Sequence, residues 1–160
     1  MKYIYHISPE TTLDAVSEYE TLEQRMPEIY VEDLSTCYNN AGIAYEENRE
    51  FEKTEHYYLL SIDLLTKYLN KRIDFAYTLS VSLGKLGMLY EENQESKKAL
   101  DYYQKVVQVI KNVELEGIGP DSYVSQLIGL YERLIGVCPK AGKASLVSMY
   151  KKELEKLNKT

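Results

Sequence analysis

The 160-residue chain has no tryptophan, two phenylalanines, two histidines, two cysteines and four prolines. Each scarcity closes off a class of function. Cys37 and Cys138 lie far apart in sequence, and a structural zinc site needs about four ligands. Neither a metal site nor a disulfide framework is therefore expected, and the two thiols fit a reducing cytosol. His6 and His56 stand alone, with no HExxH-type pair and no Ser, His and Asp grouped by spacing. His56 sits beside Glu55 but has no nucleophile to serve. No glycine-rich phosphate loop follows a strand. No catalytic residue, metal or cofactor is expected. Positive charge is short as well: 19 Lys and Arg against 25 Asp and Glu leave a net −6. The lysines are scattered, with one weak cluster at Lys151, Lys152, Lys156 and Lys159. Nucleic acid, which needs a basic stripe, is excluded. Long apolar runs are missing too. The opening "MKYIYHISPE" is interrupted at His6, too short for a secretory signal, and nothing later reaches membrane-spanning length. A cytoplasmic protein with no membrane contact is the expectation.

What is abundant is tyrosine, sixteen of them, within 44% hydrophobic and 28% charged residues, the composition of one folded domain. The chain also repeats itself. "GIAYEENREFEK" (Gly42 to Lys53) returns 45 residues later as "GMLYEENQESKK" (Gly87 to Lys98). Tyr45 falls on Tyr90, the run Glu46, Glu47, Asn48 on Glu91, Glu92, Asn93, and Tyr57 and Tyr58 on Tyr102 and Tyr103. Repeats of this length signal a solenoid of supersecondary units. In each copy the first half carries a helical stripe at i, i+3, i+4 and i+7: Tyr38, Ala41, Gly42, Tyr45, then Leu83, Leu86, Gly87, Tyr90. The Asn of "EEN" ends the helix. A second stripe follows, through Thr54, Tyr58, Ser61, Ile62, Leu65 and through Ala99, Tyr103, Val106, Val107, Ile110. Each copy is thus a helical hairpin. Gly42 and Gly87 let the second helix approach closely, at a propensity cost of about 1 kcal/mol each.

A third, worn copy carries Val124, Leu127, Ile128 and Tyr131, which places Tyr131 on Tyr90. Leu146, Tyr150, Leu154 and Leu157 form its second helix. The extra residues are expected in an enlarged turn, "LIGVCPKAGK", with Pro139 and Gly142. "EGIGPDS" supplies the break before this copy. Upstream, Ser8-Pro9-Glu10 starts a lone helix over residues 10–26, and Pro27 opens the next. The expected organisation is one all-α domain of about seven helices. Residues 1–26 form an N-terminal arm and covering helix, 27–70 and 71–116 two repeats, and 117–160 a degenerate third repeat and cap.

These residues resemble the tetratricopeptide repeat family. "LGKLGMLYEENQESKKALDYYQKV" fits its pattern closely, and "YNNAGIAYEENREFEKTEHYYLLS" fits with Thr54 in place of Ala. The third copy places Ile128 where a small residue belongs. The period above forty looks more like the long-helix repeats of kinesin light chains and of bacterial peptide receptors of the quorum-sensing type. The resemblance implies a right-handed superhelical solenoid whose first helices line a concave groove for a peptide or partner helix. The groove-facing positions it implies are Thr36, Asn39, Asn40, Ile43 and Glu47. In the second copy these become Val81, Gly84, Lys85, Met88 and Glu92, and in the third Ser122, Ser125, Gln126, Gly129 and Arg133. Partner binding is expected through Asn39, Asn40, Ile43, Lys85 and Met88, with Glu47 and Glu92 at the rim. Asn40 with Lys85 resembles part of a carboxylate clamp, an amide for a peptide backbone and a cation for its carboxylate. Val81 stands where a second cation would complete it.

The acidic series Glu46, Glu47, Glu91, Glu92 and Glu132 sits at helix C-terminal ends, against the dipole. It is either a solvated rim or an attraction for a basic partner. Most tyrosines fall on core stripes, where the ring packs and the hydroxyl reaches outward. Tyr57 and Tyr102 are the pair expected to be exposed, and Tyr3 and Tyr5 suit a short extended arm or an edge for self-association. The function expected is a non-catalytic protein–protein scaffold, monomeric or weakly dimeric. The alternatives are a peptide-signal sensor acting through a partner, and a structural self-association module.

Overall fold

A computed structural model describes residues 8–69, 75–115 and 123–158. The arm residues Tyr3, Tyr5 and His6, the "EGIGPDS" break with its groove position Ser122, and Lys159 lie outside the described residues. Among the described residues the fold is all-α, with seven α-helices and no strand. The chain divides into two compact units, Met1–Ser82 and Leu83–Thr160.

In the first unit, α1 (Pro9–Arg25) starts where Ser8 caps it, the Ser8 Oγ accepting from the Thr11 amide, with Pro9 in the first turn. Proline suits that place because its missing N–H would have had no helical partner. The helix buries Thr12 and Val16, and Val16 joins Leu34, Tyr38 and Ala41 in a core flanked by Tyr19, Cys37, Tyr57, Leu60 and Leu64. Pro27 does not open the next helix. Glu28 turns the chain into the left-handed region (φ 77°), and α2 (Val31–Glu47) begins only after Tyr30, whose carbonyl accepts from the Leu34 amide. The second helix of this hairpin, α3 (Phe51–Leu69), packs along α2. The first part of α4 (Phe75–Glu92) completes the unit.

In the second unit the end of α4 pairs with α5 (Ser96–Leu115), whose Tyr103 ring lies on Gly87. α5 packs on α6 (Val124–Lys140) and α6 on α7 (Val147–Leu157), which follows a short 3-10 turn at Ala144–Leu146.

The hairpin turns are copies of one another. The amides of Arg49, Gln94 and Gly142 donate to the carbonyls of Glu46, Glu91 and Pro139, and those of Glu50, Glu95 and Lys143 reach back to Tyr45, Tyr90 and Cys138. Arg49, Gln94 and Gly142 all have positive φ, at 60°, 62° and 76°. This is the helix-ending bond pattern that favours glycine at the left-handed position. It also corrects the register of the third copy. Cys138, not Tyr131, is equivalent to Tyr45 and Tyr90, and Tyr131 is equivalent to Leu83. "LIGVCPKAGK" is no enlarged turn: α6 is helical through Lys140, with Pro139 in its last turn. The added residues continue a buried stripe, Leu134, Val137 and Cys138, so burial favours helix over loop.

Candidate functional site

Each of the first two hairpins is held by the same small constellation. A Cβ on Gly42 would stand 2.4 Å from the Tyr58 ring, and one on Gly87 2.5 Å from that of Tyr103. Only glycine admits the ring there. One helical turn further along, Glu46 accepts the Tyr58 hydroxyl at 2.8 Å and Glu91 that of Tyr103 at 2.7 Å. Burial and the hydrogen bond to Glu91 push the Tyr103 phenol well above its ordinary pKa. Tyr45 stacks on Tyr57 at 5.5 Å and Tyr90 on Tyr102 at 5.4 Å, so the two tyrosines expected to be exposed are half-buried. Lys53 and Lys98 lie over the Tyr45 and Tyr90 rings. Glu46 and Glu91 therefore have an internal reason to stand against the helix dipole, as acceptors for buried phenols.

The third hairpin lacks this device. In the corrected register Ile135 stands at the glycine position and Pro139 at the glutamate position. The Tyr150 hydroxyl, finding no carboxylate, accepts instead from Gln104 Nε2 at 3.0 Å, and the ring tilts against Tyr131.

The sequence-derived binding residues fall in three environments. Asn39 is buried: its amide Nδ2 donates to Ser82 Oγ at 2.9 Å, and Ser82 in turn approaches Ser61 Oγ and donates to the Thr78 carbonyl. With its one proton given to Thr78, Ser82 has only lone pairs for Asn39, which fixes the amide's orientation. Asn39 Oδ1 then has no donor among the described residues. Asn40 and Glu47 are exposed on α2 and Ile43 is half-buried, all in the first unit. Lys85 and Met88 are half-buried and Glu92 is exposed on α4, in the second unit. The corrected register adds one residue that periodicity had assigned elsewhere. Arg133 on α6 is equivalent to Lys85 and Asn40, instead of to Glu92 and Glu47. Within the second unit its guanidinium reaches Glu91 at 3.1 Å and keeps a side chain 43% exposed.

Cys37 is half-buried and Cys138 buried, both with free thiols whose pKa burial pushes up, which favours the thiol over the thiolate. His56 is exposed on α3, edge-on to Tyr57. No group of three or more His, Cys, Asp or Glu suited to a metal ion occurs among the described residues. No helix there is long and apolar enough to cross a membrane.

No family model matches the sequence, and no curated protein matches it significantly. Among solved structures, that of BtubC (BKLC) from P. vanneervenii is similar, with a TM-score of 0.64 and 18% identity, over 93% of this chain and 57% of that one. The likeness is one of fold, and this chain spans little more than half the length of that structure.

Proposed function

We propose that the hairpins are tetratricopeptide-like units and that the chain is a non-catalytic scaffold which holds a peptide segment of a partner protein on its first helices. One observation carries this reading: Asn40, Lys85 and Arg133 occupy the same position of three successive first helices, and none of the three is part of the buried core. Within the second unit the two cations suit a partner's carboxylate, and in the first unit the Asn40 amide suits a peptide backbone. Glu47 and Glu92, one further equivalent pair, offer acceptors for the partner's basic side chains, with Ile43 and Met88 as apolar contacts. Asn39 is left out, since its amide is spent on Ser82.

Affinity capture from lysate at low salt tests the reading, with the wild-type chain beside Asn40→Ala/Lys85→Ala/Arg133→Ala. The expected result is a partner retained by the first and lost by the second. Equal capture by both would remove the first helices as the binding surface. A partner retained by this triple variant but lost by Glu47→Lys/Glu92→Lys would confine binding to the acidic positions.

A further inference from the structure

α1 and α3 both pack on α2, and between them, inside the first unit, a cleft of about 450 Å³ opens over α2. Its floor is apolar, with Leu34 from α2 and Leu60 and Leu64 from α3. Leu34 is buried, whereas Leu60 and Leu64 keep part of their surface open. The two walls are charged, and unequally. α3 contributes Asp63 and Lys67, which offset one another. α1 contributes Glu20 and Glu23, three residues apart and so neighbours on one face of the helix.

Phenols hold both α1 carboxylates in place. The Tyr38 hydroxyl donates to Glu20 at 2.8 Å and that of Tyr68 to Glu23 at 2.7 Å. A phenol gives one proton and no charge, so it orients a carboxylate without neutralising it. Glu20 is half-buried and has no cation in ion-pairing range among the described residues. Glu23 is only 15% exposed, and the Lys67 ammonium stands 3.9 Å from it, beyond hydrogen-bonding reach. Lys67 is drawn instead over the Tyr68 ring, 4.6 Å from its centroid. Two like charges at this spacing, half withdrawn from water, repel one another. A cation placed against both relieves that repulsion.

We infer that the α1–α3 cleft binds a short basic segment of a partner protein, an arginine guanidinium bridging Glu20 and Glu23 and a neighbouring leucine side chain covering Leu60 and Leu64. Charge complementarity selects the cation, and the floor selects the aliphatic neighbour. Arginine suits the pair better than lysine, because its planar fork of donors reaches two carboxylates at once and sheds water more readily. Lys67 is the resident competitor and yields Glu23 easily, since it makes no hydrogen bond there. Asn40, Ile43 and Glu47 do not line this cleft, so it is a surface apart from the first-helix positions proposed above, and each can fail without the other.

Titration followed by backbone-amide NMR shifts tests the inference at low salt. The probe is an end-capped peptide, Gly-Ser-Arg-Leu-Ser-Gly, beside one with citrulline for arginine and one with alanine for leucine. The proteins are wild type, Glu20→Gln/Glu23→Gln, Lys67→Gln and a control, Asp14→Asn/Glu18→Gln. The control removes the same two charges from exposed positions of α1 outside the cleft. Glutamine keeps an oxygen for each phenol, and circular dichroism checks that every variant folds. Expected for the wild type is saturable binding with a Kd of roughly 0.1 mM, the shifts falling on the cleft residues of α1 and α3. The citrulline and alanine peptides should each bind roughly tenfold more weakly. Glu20→Gln/Glu23→Gln should weaken binding of the probe roughly tenfold, and the control should leave it unchanged. Lys67→Gln should strengthen it several-fold, because a competing cation is gone.

No saturable shift at millimolar peptide overturns the inference. Equal binding of the citrulline peptide overturns it in favour of a merely apolar groove, and equal binding of the alanine peptide in favour of a simple cation site. Equal weakening by the control would reduce the attraction to that of a unit with net charge −8, and would overturn it too. So would cleft shifts that appear on concentrating the protein without peptide, which would make a second copy the occupant. Loss of the probe by Asn40→Ala would move binding to the first helices and equally overturn it.

Discussion

A single added carbon discriminates between the glycines of this chain. At Gly87 a Cβ would stand 2.5 Å from the Tyr103 ring, whereas at Gly84, on the same helix, it would meet nothing within 4 Å. Gly84→Ala should therefore stabilise the protein by about 0.5–1 kcal/mol, the helix-propensity difference. Gly87→Ala should gain the same propensity and still lose about 1–3 kcal/mol net through overpacking. Urea midpoints of the two variants beside the wild type check both signs. If Gly87→Ala proved as stable as Gly84→Ala, the ring would not be seated where the distance puts it. The phenols give a second test. Desolvation and a carboxylate acceptor raise the pKa of both Tyr38 and Tyr103 above the ordinary 10.0. A phenol bound as its neutral form contributes fully below the unfolded-state value, and the contribution is lost as pH rises toward the folded one. Stability should accordingly fall above about pH 10, and Tyr103→Phe should flatten that fall. An alkaline limb of the same slope in wild type and variant would remove Tyr103 as its source.

At the scale of the element, the three hairpin turns share one geometry with three different residues. Arg49 and Gln94 hold left-handed backbone that favours glycine, and Gly142 holds it without a side chain. Gln94→Gly should thus raise stability by about 0.5–1 kcal/mol, and Gly142→Ala should lower it by a similar amount. Melting temperatures moving in the reverse directions would count against the turn assignment. The same turns mark what could be seen in the sequence. The first two copies are related by a constant 45 with "YEEN" intact, so their helices and the close approach at Gly42 and Gly87 were apparent from spacing, and the start of α1 from Ser8-Pro9; which rings fill the approach, Tyr58 and Tyr103, was not. The third copy was not, because a slip of one heptad rotates a helical stripe by only about 20°. Tyr131 and Cys138, seven residues apart, both lie on the buried stripe of α6. Periodicity has no means of choosing between them, and only the backbone bond from Lys143 to the Cys138 carbonyl does so. The misplacement of Arg133 follows from that slip. Asn39 was misjudged for a different reason: its stripe-side neighbours predict exposure, but Ser82, distant in sequence, gives its amide a buried partner.

For the molecule as a whole, the decisive quantity is the difference in charge between its units, −8 over residues 1–82 and +2 over residues 83–160. A net charge far from zero opposes the compact state through self-repulsion, and added salt screens it within a Debye length of about 8 Å at physiological ionic strength. The local ion pairs are mostly exposed ones between near neighbours, such as Lys53 with Glu50 and Lys98 with Glu95, which stabilise little. Repulsion in the first unit is therefore the term that salt changes most. Hydrogen exchange followed segment by segment at low and at physiological salt checks this, in dilute solution where association is negligible. Amides of α1, α2 and α3 should exchange several-fold more slowly at the higher salt, while those of α5, α6 and α7, in a unit near neutrality, should change little. Equal slowing in both units would point to a general salt effect, because screening of self-repulsion has to follow the charge to where it resides.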